Sequence, residues 1–486
     1  MVPGRIPATL HEELRALRRQ CGALACAELL THAGAIARLL AWTRNALSSS
    51  HLVAVAHALH RTLGAGVDDL RTLRVPVDIL REFPAWRTGS RAGFRPVPLG
   101  VTPRPAGARE PLRAIRMHVA PADGMTPLAL TILRGLLARL DGAVRFVLFV
   151  EPEVDLDRLQ ELARAYGAWD ERRVRLVAVR SATLYSQDNA RAAVDAHGFP
   201  VLQLPRAFRP ELGRDEESMS ASEAERALGV RVIQSRTYWE GGNVLHDETH
   251  CLVGADTIAE NRVRLGLTTD EATRLLEADL GVAVHALGDA STARYDADRD
   301  GVAPSGQATF HIDLDVALLG RVGRGRRPAA LLADPARGLR MLDGVLRDRR
   351  TTARHLIAPA RIRRPLAAEY QASANERTPI LAGYRKTLER LGYLVIGMPD
   401  LRLRREKSVF GETRLDFTYC NVLPGLNAKR ATVHYLPWGI RALDRAAEAR
   451  FRAAGVTPVA VSSDPAVAHA LMRYSAGLHC FCGSLP

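Results

Sequence analysis

From residue 111 onward the chain alternates two textures. Short unbroken apolar runs give way to stretches in which apolar side chains recur every three or four positions. The runs read as buried strands: Ala114–Ala120, Val144–Val150, Val174–Val179, Val230–Gln234, Cys251–Gly254, Ala308–Asp313, Ala329–Ala333, Tyr393–Gly397, Thr432–Leu436 and Pro458–Val461. The periodic stretches predict helices over Pro127–Leu140, Asp155–Ala165, Asp270–Ala278, Gly338–Arg350, Arg377–Leu391 and Ile440–Ala454. Such alternation defines an α/β unit. No fixed-period repeat is visible in the sequence.

The first part of the chain reads differently. Over residues 8–62 apolar side chains keep helical spacing, from Leu10, Leu14 and Leu17 to Ile36, Leu39 and Leu40. Ser48 to Ser50 interrupt it, and Ser50 is placed to cap a helix carrying Leu52, Val55, Leu59 and Leu63. Pro84, Pro96, Pro98, Pro103 and Pro105, interleaved with Gly and Arg, have linker chemistry. The expected division is a helical accessory region at 1–90, a Pro/Gly/Arg-rich linker at 91–110 and the α/β unit at 111–486.

Charge sharpens this picture only slightly. The 486 residues carry a formal charge of +14, yet Lys386, Lys407 and Lys429 are the only lysines, so nearly all the base is arginine. The arginines are spread along the chain among 53 acids, the mark of a GC-rich coding bias rather than of a basic patch. Aromatic residues, at 5%, form no stacking ladder with them, which weakens a nucleic-acid reading. No apolar run suits a membrane span, and the first residues lack a signal-peptide core, so no membrane partner is expected. Six scattered cysteines do not make a disulfide scaffold, and the expected compartment is the cytoplasm. No phosphate-cradling glycine loop is present, so no nucleotide cofactor is indicated.

Four segments carry chemistry. Tyr185-Ser-Gln-Asp188 is a polar turn after an apolar strand. Glu240-Gly-Gly-Asn243 sets an acid before two glycines that permit close backbone approach. His311-Ile-Asp313, read as strand, puts both polar side chains on one face, with Asp315 on that face as a structural residue. Near the C-terminus stands Gly477-Leu-His479-Cys480-Phe-Cys482. A thiol and an imidazole are the parts of covalent catalysis. Several carboxylates around them repel one another unless the site receives a cation, and a guanidinium is the planar, permanently charged match.

In that chain order these motifs resemble the guanidine-modifying enzymes: arginine, agmatine and peptidylarginine deiminases and dimethylarginine dimethylaminohydrolases. Leu252-Val-Gly254 after the second motif and Asn421-Val-Leu before the cysteine extend the resemblance, which runs from about residue 181 to 480. It implies an α/β propeller of five ββαβ-like modules (a pentein). It also implies that Cys480 is the nucleophile, His311 the general acid/base and Glu240 the acid that orients it. Asp188 and Asp313 would hold the guanidinium, with Asn243 in the same substrate-binding set. The implied reaction is hydrolysis of an arginine guanidino group, free or within a peptide or protein, to citrulline and ammonia. An amidinotransferase could use the same residues, and a non-catalytic guanidinium- or nucleic-acid-binding module could keep the fold. A homo-oligomer is compatible with either.

The chain departs from the pattern in places. Gln187-Asp188 stands where free-arginine and agmatine enzymes often have Arg-Asp, and Cys482 where Thr or Ser often follows the nucleophile. Cys482, if in a strand, shares the face of Cys480, and His479 reads as a structural neighbour. Asp296, Asp298, Asp300 and Gly301 open like a calcium loop, but Gln307 stands where the bidentate Glu belongs, so calcium is only a weak expectation and no other metal or cofactor is indicated.

Overall fold

A computed structural model describes residues 96, 98–119, 125–151, 154–179, 182–183, 185–206, 228–265, 267–293, 306–322, 327–347, 360–402, 417–473 and 476–485; for 342–347 and 360–367 it describes the backbone alone. The helices expected over 8–62 and the residues Asp296, Asp298 and Asp300 lie outside these. The chain divides into two units, Met1–Val97 with Glu260–Leu275, and Pro98–Ala259 with Leu276–Pro486. In the first, the described residues are helical ends, where Arg264 pairs with Glu260 at 2.9 Å.

Among its described residues the second unit holds five small sheets built to one pattern: an antiparallel pair whose second strand continues, through a helix or a longer connection, into a parallel third. Val244–His246, Cys251–Gly254 and Val284–Leu287 follow it. So do Val316–Val322, Arg327–Asp334 and Leu394–Pro399, and Leu423–Asn427, Arg430–Tyr435 and Thr457–Ala460. Arg191–Asp195, Pro200–Leu204 and Arg231–Gln234 form a fourth, with Val101–Pro103 added antiparallel at the edge. In the fifth, Gly483–Leu485 runs antiparallel to Ala114–Val119, which is parallel to Arg145–Val150 and, beyond it, Val174–Ala178. Parallel neighbours need a crossover, and the helices Thr126–Arg139, Leu156–Ala165, Pro335–Arg347, Ala360–Arg390 and Arg441–Ala453 supply them.

Local chemistry explains the ends of these elements. Pro127 opens Thr126–Arg139, where its missing N–H costs nothing. The Asp155 side chain caps the next helix by accepting from Asp157 N and Arg158 N. The helical stripes, such as Leu130, Leu133 and Leu136, pack with Phe146, Leu148, Leu331, Val433 and Phe481 in one buried cluster. Each such side chain stabilises the fold by ~1.5–3 kcal/mol.

Three expectations change. The stretch read as a linker contains the strand Val101–Pro103, and Ala108 is fully buried. Ala308–Asp313 is not a strand. His311 is extended, and Ile312–Leu314 then turns as a 3₁₀ helix. Side chains rather than a neighbouring strand satisfy its backbone: Ile312 N donates to Asn243 Oδ1 at 3.1 Å, and Phe310 O accepts from Asn243 Nδ2 at 3.0 Å and Gln307 Nε2 at 2.7 Å. Cys480 lies in a single helical turn, Leu478–Phe481, so the i, i+2 rule of strands does not relate it to Cys482.

No helix among the described residues is long and apolar enough to cross a membrane.

Candidate active site

Four segments far apart in sequence deliver their polar side chains to one buried cluster. Cys480 is 1% exposed. Its sulfur donates to Asp313 Oδ2 at 3.3 Å and accepts from Asn421 Nδ2 at 3.1 Å. Burial pushes the thiol well above its ordinary value, and the Asp313 and Asp188 carboxylates push the same way, since each opposes a second negative charge. The hydrogen bonds from Gly477 and Asn421 act in the other direction without reversing it.

His311 is equally buried. Its Nε2 is hydrogen-bonded to Glu240 Oε2, and its Nδ1 sits 3.8 Å from Asp188 Oδ1 with no hydrogen-bond partner of its own. Burial alone would lower the imidazole; Asp188, then Glu240 and Asp313, outweigh it and hold the ring above its ordinary value. The free site therefore favours the protonated form of both the imidazole and the thiol. Asp313 Oδ1 is also buried without a partner. A planar cation offered to Asp313 and Asp188 supplies the charge that the carboxylates lack.

The glycines of the second motif are steric requirements. A Cβ on Gly242 would run into the His311 ring, and one on Gly241 into the Gln187 carbonyl. The close approach lets Gly242 N donate to Asp188 Oδ1 at 3.0 Å and Gly241 N to Asp188 O at 3.1 Å, clasping the first two motifs together. Asn243, expected to bind substrate, holds the 307–312 turn. Its Oδ1 accepts from Ile312 N and from Gln307 Nε2 at 3.0 Å, and its Nδ2 donates to Phe310 O. Gln307 is thus engaged with the second and third motifs.

Asp315 is structural, as expected. Arg377 and Arg402 reach its Oδ1 at 2.8 and 2.6 Å, and both also bind Asp400 at 2.6 Å. Thr309 Oγ1 bridges Asp315 Oδ2 at 2.5 Å and His311 O at 2.7 Å, so this buried square of charges braces the histidine turn.

Four further residues make contacts that their place in the sequence does not show. Asn421 holds Cys480 from three sides: besides the sulfur contact, its Oδ1 accepts from His479 N at 2.8 Å and Cys480 N at 3.2 Å. The signal was present, for Asn-Val-Leu occurs at both 243–245 and 421–423, in front of equivalent strands. His479 is more than a neighbour, since its Nδ1 lies 2.9 Å from Asp313 Oδ2. Ser186 ties the Asp188 turn to the cysteine turn: its hydroxyl donates to Phe481 O at 2.6 Å and accepts from Gly483 N at 3.0 Å. Arg116, fully buried, fixes the same turn by donating to Ser186 O and Ala190 O. Burial lowers its guanidinium to about 9 against the opposing pull of Asp188.

Asp188, Glu240 and His311 bring one ligand atom each within 4.8 Å of one another.

Solved structures share the fold. A protein from Porphyromonas gingivalis assigned as an arginine deiminase superposes with a TM-score of 0.50 at 16% identity, over 78% of this chain and 97% of that one. Also similar are a protein assigned as an agmatine deiminase (TM-score 0.49, 13% identity, 80% of this chain and 96% of that one) and a dimethylarginine dimethylaminohydrolase variant in an adduct with S-methyl-L-thiocitrulline (TM-score 0.33, 11% identity, 77% of this chain and 100% of that one). No family model and no curated protein sequence matches the chain.

Proposed function

We propose that the chain is a cysteine-dependent hydrolase of a guanidino group, a deiminase that converts arginine, free or peptidyl, to citrulline and ammonia. The supporting observation is the meeting of Cys480, Asp313, His311, Glu240 and Asp188 in one buried cluster with excess negative charge. Asp188 and Asp313 hold the guanidinium. Its charge offsets the carboxylates that disfavour a thiolate, so substrate binding itself favours ionisation of Cys480. The sulfur attacks the guanidinium carbon. His311, protonated in the free site, gives its proton to the departing nitrogen, which leaves as ammonia. The thiouronium carbon is then attacked by a water that the now neutral His311 deprotonates. Collapse expels the Cys480 thiolate and releases the ureido product. Glu240 steadies the imidazolium throughout.

The five like sheets, with the C-terminal strand completing the one begun at residue 114, support a closed five-module propeller with this cluster at its axis. The test is colorimetric detection of ureido product from arginine, agmatine, methylated arginine and an arginine-containing peptide, with Cys480→Ala as control. Ammonia release by the folded Cys480→Ala protein would rule the mechanism out.

A further inference from the structure

A cavity of about 160 Å³ borders the catalytic cluster without being part of it. Asp313, His479, Gln187 and Gly241 form one side, but Cys480, His311, Asp188 and Glu240 do not line it. An apolar cavity of ~150 Å³ is enough to hold a benzene-sized molecule. The walls come from the strands that lead away from the motifs, with Val244, Leu318, Leu423 and Leu485 among them.

The charged lining is mostly basic. Arg104, Arg113 and Arg191 line the cavity, against Glu110 and the Asp313 already engaged by His479. Arg191 is 3% exposed. It spends Nε on Gln203 Oε1 at 2.9 Å and lies over the Trp239 ring at 5.6 Å. Its two terminal nitrogens are buried without an oxygen or nitrogen acceptor, and its other side-chain hydrogen bond is to the Cys251 thiol, a weak acceptor. Buried guanidinium donors rarely stay unmatched, because each costs its full desolvation. Arg104 and Arg113 repel each other: burial first, then the Arg113 charge, lowers Arg104, and Glu110 only partly opposes them. His246, whose Nε2 meets Arg104 O, is held neutral, lowered to about 3 by burial and then by Arg191. An anion is therefore what this lining lacks, and a bare one would leave the apolar walls uncovered.

We propose that this cavity binds a small organic anion, a carboxylate on a short hydrocarbon body, with the carboxylate on the arginines and the body against Val244, Leu318 and Leu423. An occupant would rest against the Asp313–His479 pair, whose Asp313 touches the Cys480 sulfur.

The probe is hexanoate, titrated calorimetrically into the full chain. This measurement needs no turnover, so failure of the deiminase reading leaves it unaffected. Saturable binding is expected, with the heat unchanged when inorganic phosphate is present at the same concentration. The paired substitution Arg104→Gln and Arg113→Gln, which alters half-exposed and exposed side chains, should weaken binding by about tenfold or more. Its folding is checked by circular dichroism. A second variant, Leu318→Phe, should reduce binding by filling the wall. The proposal is overturned by absence of saturable binding, by equal affinity in the folded double variant, or by displacement of hexanoate by phosphate.

Discussion

Asp313 turns one carboxylate oxygen to the sulfur of Cys480 at 3.3 Å. The same oxygen is 2.9 Å from His479 Nδ1. A nucleophile is usually activated by positive neighbours, yet here the nearest charge is negative and helps hold the thiol protonated. The arrangement makes sense when the missing positive charge arrives with the substrate.

Asp313→Asn should consequently have opposite effects on two readouts. Removing the carboxylate eases ionisation of Cys480, so alkylation by iodoacetamide near neutral pH should rise by about an order of magnitude. Ureido formation should fall by ~100-fold or more, because the guanidinium loses an anchor. A fall in both rates would contradict the charge argument.

The pH profile should report His311. A histidine whose folded value is raised contributes stability that is fully present below its unfolded value and lost as pH rises through the folded one. Its role as acid fails in the same direction. Activity should therefore decline on the alkaline side as His311 deprotonates, and Glu240→Gln should move that decline to lower pH. The measurement is kcat/KM against pH for both proteins.

Gly242→Ala should disable the site with little global damage. The added methyl meets the His311 ring, and relief costs ~1–3 kcal/mol, the usual cost of overpacking. Activity should drop at least ~100-fold through the displaced imidazole. Thermal unfolding and activity, measured on the same sample, separate the two effects.

Asn421→Ala should cost ~1–3 kcal/mol in denaturant unfolding, because the backbone N–H groups of His479 and Cys480 lose their acceptor. Activity should fall more steeply, since the cysteine turn is then free to rotate the sulfur away from Asp313.

The Asp315, Asp400, Arg377 and Arg402 square predicts a stability effect. Asp400→Asn leaves two buried guanidinium groups short of one negative charge, at a cost of about 3–5 kcal/mol. Urea titration followed by tryptophan fluorescence would measure it, and a change below the error of the extrapolation would refute it.

The long elements were legible because their patterns repeat enough to be seen. Arg145–Val150 and Arg441–Ala453 fall within a residue of their expected ends. Val244–His246 and Gly483–Leu485 have three residues each, too few to show a period, and exist because neighbouring strands complete their hydrogen bonds. The hairpin at Ala428–Lys429 escaped notice for another reason: both residues take left-handed φ angles, of 47° and 64°, without glycine. In the 307–312 turn, Asn243 and Gln307 displaced the expected strand by supplying its hydrogen bonds.

By itself the sequence determined the α/β class of the second unit and singled out a thiol, an imidazole and carboxylates, because these groups keep their chemistry wherever they lie. It could not show that five sheets share one pattern, since the pattern lives in strand pairing and is carried by unlike residues. Only the tertiary structure decided which groups touch. It gave His311 to Glu240 and Asp188, gave Asp313 to Cys480 and His479, and set Asn243 against the 307–312 turn. Contacts between residues 167 positions apart depend on how the sheets pack, and no local spacing encodes that.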